Sequence, residues 1–147
     1  MRNRFTYGPA GTPGAPGAPG AAGKEGAAGK EATIPAISWH NLTLEHGWAE
    51  YSGYGVPSYT KDIQGFVHLS GAIEGISQTS SLFATLPAGF RPTRAEDIWL
   101  RAPATNGSSE PQLVDIEIES DGEMYIHNAS GSNDHFVSLE GMTFYAG

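Results

Sequence analysis

Glycine recurs at every third position in the stretch GPAGTPGAPGAPGAAGKEGAAGKE, residues 8–31. Three chains in the polyproline II conformation wind together only when the residue at their common axis has no side chain, so a strict period of three is typical of collagen. A flexible linker of glycine, alanine and proline has no reason to keep this register. The repeat therefore predicts a triple-helical stem built from three copies of the chain. Its glycines are Gly8, Gly11, Gly14, Gly17, Gly20, Gly23, Gly26 and Gly29.

The positions between these glycines agree with a triple helix. Proline fills four of them in the first half of the repeat, where its fixed φ pre-organises each strand. Two Gly-Lys-Glu triplets, 23–25 and 29–31, replace the prolines in the second half, and their charges can pair between staggered chains. At about 3.1 Å per residue, the segment predicts a rod of roughly 70 Å.

Residues 32–147 are of ordinary size for one domain, which we call the head. Residues 1–7, MRNRFTY, are basic but no apolar region follows them, so we expect no signal peptide, and no stretch reaches the length of a membrane span. We therefore expect a soluble chain without membrane insertion, in which residues 1–7 form an attachment peptide. The chain contains no cysteine, so it has neither disulfides nor thiol chemistry.

The negative charge of the chain lies in the head. Residues 1–31 carry four basic and two acidic side chains, which leaves a charge of −10 for the head out of the total of −8. Such a surface repels nucleic acid and anionic membranes. A neutral ligand, a cationic ligand or an anionic ligand bridged by a metal stays compatible with it.

The head has the alternating apolar pattern of β-strands and no helical period. The clearest alternation is in FVHLSGAI (66–73) and LVDIEIES (113–120). With short strands joined by loops rich in Gly, Ser, Asn and Pro, we expect an all-β head with the architecture of a β-sandwich or jelly roll. Further strands are predicted at 40–45, 47–52, 57–61, 79–86, 97–102 and 135–145.

The turn after LVDIEIES can be predicted in detail. A two-residue Asp121-Gly122 loop would place carboxylates opposite apolar side chains of the next strand. A three-residue loop, 120–122, with Gly122 in the left-handed conformation and a G1 bulge, instead pairs Ile118 with Met124. Because register follows the pattern of the two faces, we expect the second arrangement.

The last predicted strand, 135–145, covers nearly all of FVSLEGMTFYA (136–146) and is apolar on both faces. A strand covered on both sides is unusual in so small a domain, so we expect one side of it to meet another subunit.

Four stretches of the head resemble a known group of proteins: NLTLEHGWAEY (41–51), PSYTKDIQGFVHLSGAI (57–73), LFATLPAGFRP (82–92) and VSLEGMTF (137–144). They resemble the C-terminal domain that follows collagen-like stalks in bacteriophage tail fibres and receptor-binding proteins, especially those of phages that infect Gram-positive hosts. The resemblance implies a homotrimeric β head that binds a host cell-surface glycan or another envelope component. It also implies synthesis in the host cytoplasm and attachment to the virion through the N-terminus.

Two other functions stay open at this point. The chain could be a structural capsid fibre or decoration protein with little affinity for a ligand, docked through MRNRFTY. It could also be a collagen-like surface protein of a bacterium or spore, or a soluble defence trimer of an animal. The absence of a signal peptide and of cysteines disfavours the animal protein.

Aromatic residues between 39 and 59 are the candidate ligand contacts, because Trp and Tyr rings stack on the apolar faces of sugars. Tyr54 lies in the glycine-rich loop SGYGVPSY (52–59), which favours its exposure. The alternative for Trp39 and Trp48 is that they fill the core or a subunit interface. The candidate saccharide contacts are Trp48, Tyr51, Tyr54, Tyr59 and His127.

We predict neither catalysis nor a metal or other cofactor. The acidic residues from Asp115 to Glu123 could attract Ca²⁺ where Glu119 and Glu123 are opposed, but their alternation predicts a solvated edge along which they are spread. The five histidines lack the spacing of metal ligands, and no G-x-S-x-G motif is present. Ser130, Ser132 and His135 lie in a polar loop, which is weak evidence for a triad.

Overall fold

The computed structural model describes residues 7–31, 33–75, 80–105, 107, 111–127 and 136–147. The chain divides into two units, Met1–Thr33 and Ile34–Gly147. In the first unit, residues 7–31 form neither helix nor strand, and their side chains are exposed. A Cβ added at any of the eight repeat glycines would meet no atom within 4 Å.

The second unit is all β in the residues that the structure describes, as the alternating sequence predicts. The described part of this unit contains eleven strands: β1 (His40–Asn41), β2 (Ala49–Glu50), β3 (Ser58–Lys61), β4 (Phe66–Ser70), β5 (Ala72–Glu74), β6 (Leu82–Thr85), β7 (Ile98–Thr105), β8 (Gln112–Ile118), β9 (Glu123–His127), β10 (Phe136–Ser138) and β11 (Thr143–Tyr145). No helix in the described ranges has the length and apolarity needed to cross a membrane.

The strands form two antiparallel sheets around one core. The four-stranded sheet has the order β1-β3-β4-β11, and the seven-stranded sheet has the order β2-β5-β10-β7-β8-β9-β6. Apolar side chains of both sheets, among them Val67 and Phe144 from the first and Ile116 and Val137 from the second, belong to a single buried cluster. The head is thus a two-layer β-sandwich.

The β8–β9 hairpin confirms the predicted three-residue turn. Ile118 pairs with Met124 and Ile116 with Ile126, and Gly122 has a φ of 95°. The turn is closed by the Gly122 amide, which donates to the Glu119 carbonyl oxygen at 2.9 Å. The apolar side chains therefore face the core together, as the register argument requires.

The prediction of one continuous strand over 135–145 is wrong. In the described part of this range, β10 belongs to the seven-stranded sheet and β11 to the four-stranded sheet, with a turn at Glu140 and Gly141 between them. Buried and less buried residues alternate on each side of the turn, but the buried positions are odd-numbered before it and even-numbered after it. Leu139 and Met142 therefore both face the core. The apolar pattern on both faces thus arises from the passage between sheets and does not itself require another subunit.

A second passage between the sheets lies beside the first. FVHLSGAI leaves the four-stranded sheet after Ser70 and enters the seven-stranded sheet at Ala72, with Gly71 between them at a φ of 89°. The Leu139 amide donates to the Gly71 carbonyl oxygen at 2.9 Å. The Glu140 carboxylate accepts from Ser70 Oγ at 2.8 Å and from the Gly71 amide at 3.1 Å. We call these contacts the corner.

Acid is expected to loosen the corner. The hydrogen bonds from the Gly71 amide and from Ser70 lower the pKa of Glu140 below its usual value of 4.5. A lowered pKa contributes stability that is present above pH 4.5 and is lost as the pH falls through the folded-state pKa. We therefore expect the melting temperature of Glu140→Gln, which cannot titrate, to fall less below pH 4.5 than that of the wild type. Parallel melting curves for the two proteins from pH 5 to pH 3 would contradict this role.

Candidate ligand-binding surface

Three aromatic rings meet where the 52–57 loop passes the start of β10. Ring centroids are 5.4 Å apart for Tyr51 and Tyr54, 5.1 Å for Tyr51 and Phe136, and 4.9 Å for Tyr54 and Phe136. All three pairs have the edge-to-face geometry that aromatic rings prefer. Tyr54 is 62% exposed, and the other two residues are half-buried. We call this group the loop patch.

The backbone of the loop patch is hydrogen-bonded at Tyr51 and has free space around Gly53. The Tyr51 amide donates to the Ala72 carbonyl oxygen at 3.0 Å. A Cβ on Gly71 would lie 2.8 Å from backbone atoms of Gly55, Val56 and Pro57, so only glycine permits the loop to lie this close to the corner. A Cβ on Gly53 would meet nothing within 4 Å. The sequence thus presents Tyr54 on an open turn above a fixed base.

A second group of aromatic and charged side chains lies on the outward face of β7, β8 and β9. Glu117 pairs with Trp99 on one side and with Tyr125 on the other, which places the three residues in one row across the strands. The ring of His127 is 5.1 Å from that of Trp99 and 6.1 Å from that of Tyr125. Trp99 is 55% exposed. We call this group the sheet patch.

Hydrogen bonds hold the polar groups of the sheet patch in place. His127 Nε2 lies 2.6 Å from Glu117 Oε2, a distance that allows a charge-assisted hydrogen bond when the imidazole is protonated. The Tyr125 hydroxyl donates to the Glu123 carboxylate, and this hydrogen bond is the main cause that raises the pKa of Tyr125 to about 12. Tyr125 is therefore a neutral phenol at physiological pH, so the row presents aromatic rings beside carboxylates.

The two patches lie on the same face of the seven-stranded sheet. Phe136 of the loop patch pairs with Thr105 at the end of β7, and the same strand carries Trp99. Side chains alternate between the two faces of a strand, so residues 99 and 105, six positions apart, lie on the same face of β7. The opposite face, toward the core, carries residues 98, 100, 102 and 104. Six residues of strand separate the patches by roughly 20 Å. A ligand with several units in a row could reach both.

Three carboxylates converge at the β8–β9 turn. Oxygen atoms of Glu119, Asp121 and Glu123 all lie within 4.8 Å of one another, so the prediction that alternation spreads these residues apart is wrong at this turn. The turn folds the strand ends back and brings their side chains together. Burial and then the neighbouring carboxylates, first Asp121 and Asp97, raise the pKa of Glu119. Such oxygens are of the type that Ca²⁺ prefers, but exposed acidic groups are common without an ion, so we assign no metal.

The structure separates the predicted contact residues. Tyr51 and Tyr54 lie together in the loop patch, and His127 lies in the sheet patch. Trp48 is only 6% exposed, and its Nε1 donates to the Ser80 carbonyl oxygen at 2.9 Å, so it belongs to the core, the alternative that the sequence left open. Tyr59 packs against the core from the four-stranded sheet.

Tyr59 and Trp39 belong to neither patch. The ring of Tyr59 is 5.4 Å from that of His40 and 4.9 Å from that of Phe90, away from the other candidates. Trp39 is half-exposed. Ser130, Ser132 and His135 lie outside the residues that the structure describes.

Sequence reasoning missed Phe136 and Trp99. Trp99 could have been found, because Ile98, Leu100, Ala102 and Ala104 form the apolar face of IWLRAPA and leave Trp99 on the other. Phe136 could not be assigned in this way. The residues that follow it are apolar on both faces of a continuous strand, and only the turn at Glu140 shows which of them face the core.

A solved structure has a fold similar to that of this chain. The chain superposes on the receptor binding protein (gp15) of Listeria phage PSA with a TM-score of 0.62 and 20% sequence identity, over 76% of this chain and 66% of that one. The chain is similar in fold to a phage receptor-binding protein. It spans about two thirds of that protein's length. No protein-family model and no curated protein matches the sequence.

Proposed function

We propose that this chain is a host-attachment protein of a bacteriophage virion, whose β head binds a glycan on the host cell surface. The observation that carries the proposal is the exposed loop patch on a head that shares the fold of a phage receptor-binding protein. Edge-to-face rings with one open member provide an apolar platform for a sugar ring, and platforms of this kind with a few polar neighbours are typical of small-ligand sites.

Within this proposal the two patches have different roles. Tyr54 supplies the stacking surface, and Tyr51 and Phe136 hold its ring in place through the contacts described above. Glu117 and His127 of the sheet patch offer hydrogen-bond acceptors and donors to the hydroxyl groups of a further sugar unit. We propose binding without chemical conversion of the ligand and without a cofactor, and the acidic head disfavours nucleic acid as a partner.

The stem completes the proposal by setting the number of heads. Among the described residues, a Cβ at any of the eight repeat glycines meets no atom of the same chain, so packing within one chain does not account for glycine there. Their strict period supports contacts with two further copies in a triple helix, and thus a homotrimer. Three heads on one stem raise avidity by roughly 10²–10⁴ when they engage together. Residues 1–7 are the segment that we propose for attachment to the virion.

Removal of the Tyr54 ring is expected to weaken binding about tenfold per head. An aromatic contact contributes about 0.5–1.5 kcal/mol, and a value near the top of this range, about 1.4 kcal/mol, corresponds to a factor of ten in Kd. Purified wild type, Tyr54→Ala and Tyr54→Phe would be tested on a glycan array and on cell walls of susceptible hosts. We expect Tyr54→Phe to keep most of the affinity because it keeps the ring.

Arg94→Ala provides a control for this measurement, because Arg94 is exposed in the loop before β7 and lies outside both patches. Its binding should equal that of the wild type. Loss of binding in Trp99→Ala with full binding in Tyr54→Ala would move the site to the sheet patch. A folded wild-type trimer that binds no host surface would instead favour a structural capsid fibre, which antibody labelling of virions can locate.

A further inference from the structure

The outer face of the four-stranded sheet carries an exposed aromatic pair. Phe66 on β4 pairs with Tyr145 on β11, and their ring centroids are 5.3 Å apart. The two residues are 40% and 47% exposed. Ile63, in the turn before β4, is also exposed. Exposed apolar side chains grouped in this way are a common mark of a protein interface.

The segment that leads into the head adds to this surface. Residues 34–39 are exposed throughout, and three of them, Ile34, Ile37 and Trp39, are large and apolar. We call residues 34–39 the neck. Thr60 Oγ1 donates to the Ser38 carbonyl oxygen at 2.7 Å, and His40 then pairs with Tyr59 in the sheet. The neck is thus fastened beside β3, the strand next to β4.

The charges of the two sheet faces differ. The acidic residues of β8, β9 and their turn, from Asp115 to Glu123, lie at the outer face of the seven-stranded sheet. On the four-stranded face, Asp62 and His68 form an ion pair at 3.0 Å when the imidazole is protonated, and His68 Nδ1 lies 3.0 Å from Thr143 Oγ1. Three copies brought together by their acidic faces would repel one another, whereas the four-stranded faces meet no such cost.

We propose that the neck and the Phe66–Tyr145 surface form the contact between copies of this chain in the head. The collagen repeat ends at Glu31, only three residues before Ile34, and three residues of extended chain reach about 10 Å. A triple helix holds its three chains on one axis, so the three necks begin next to that axis. This inference rests on the proposed trimer.

A charge substitution on each face tests the inference. Tyr145→Glu and Leu113→Glu replace exposed apolar residues on opposite sheets of the full-length chain. Light scattering would give the mass, and circular dichroism would follow head and stem melting at several protein concentrations. We expect Leu113→Glu to behave as the wild type, and Tyr145→Glu to lose the concentration dependence of head melting and to melt its stem at a lower temperature.

The possible outcomes separate the inference from the proposed function. Equal melting of Tyr145→Glu and Leu113→Glu in a trimeric protein would overturn the interface and leave the trimer intact. A wild-type chain that is monomeric at all concentrations would overturn the trimer and the interface together.

Thiol labelling gives a second measurement that does not depend on stability. Because the chain has no cysteine, Tyr145→Cys and Leu113→Cys each introduce one thiol, on opposite sheets. In the trimer, we expect a bulky maleimide to label Tyr145→Cys at least about tenfold more slowly than Leu113→Cys, because the interface excludes it. Equal rates, or slower labelling of Leu113→Cys, would assign the contact to another face.

Discussion

Replacement of Gly122 by alanine is expected to destabilise the head by about 3 kcal/mol, because left-handed backbone strain and a steric clash add together. Gly122 has a φ of 95°, and a Cβ there would lie 2.5 Å from the Leu86 carbonyl oxygen. That oxygen accepts from Arg91 Nε at 2.8 Å, and the Leu86 amide in turn donates to the Gly122 carbonyl oxygen at 2.9 Å. The clash therefore involves the backbone of Leu86, whose carbonyl and amide groups are both hydrogen-bonded, so moving it away would break these bonds.

Gly89→Ala is the matched control for this substitution. Gly89 has a φ of 91°, but a Cβ there would meet nothing within 4 Å, so only the strain of about 1 kcal/mol applies. Urea unfolding followed by tryptophan fluorescence would give the free energy of unfolding of both variants. Equal losses would show that the turn relaxes without the clash, and that Leu86 does not fix its position.

The parts of the head that the sequence predicts are those that local pattern decides. The β8–β9 hairpin follows from period-two alternation and from one glycine in the left-handed region, and both are visible within fifteen residues. The register from Ile116 to Met124 was therefore predictable before any tertiary contact was known.

The passages between sheets could not be predicted in this way. At Gly71 the same parity continues, with Leu69 and Ile73 both buried, so the sequence gives no sign that the sheet has changed. At Gly141 the buried positions change from odd-numbered to even-numbered residues. In the sequence, this change looks the same as a single strand that is covered on both faces. Only pairing between distant strands, β5 with β10 and β4 with β11, separates these alternatives.

In the candidate site, too, some features follow from the local sequence and others only from contacts between residues far apart in the chain. Tyr54 could be assigned to the surface because glycines flank it in a loop, and the structure places it there. Its contact with Phe136 joins residues more than eighty positions apart, and no local pattern encodes it. Trp48 has aromatic character like Tyr54, but its packing on Phe83 at a ring distance of 6.2 Å is decided by the tertiary fold.

Substitution of Gly17 by valine is expected to abolish or strongly lower the melting transition of the stem while the head stays folded. Gly17 is the fourth of eight repeat glycines, so the change interrupts the triple helix near its middle. A valine at the axis has no room between the three chains, and the three triplets before and the four triplets after that of Gly17 are too few to compensate for the loss. We expect the head to stay folded because its buried core is built from residues within Ile34–Gly147.

Ala18→Val is the control, because it adds the same side chain at the next residue, which in a triple helix lies away from the axis. Circular dichroism and protease digestion should show an intact stem in Ala18→Val and a digested stem with a resistant head in Gly17→Val. If both variants melt and digest alike, residues 8–31 act as a linker whose period has no structural role. If only Gly17→Val loses its stem, the period of three is explained by contacts between chains, which is the basis for placing three heads on one axis.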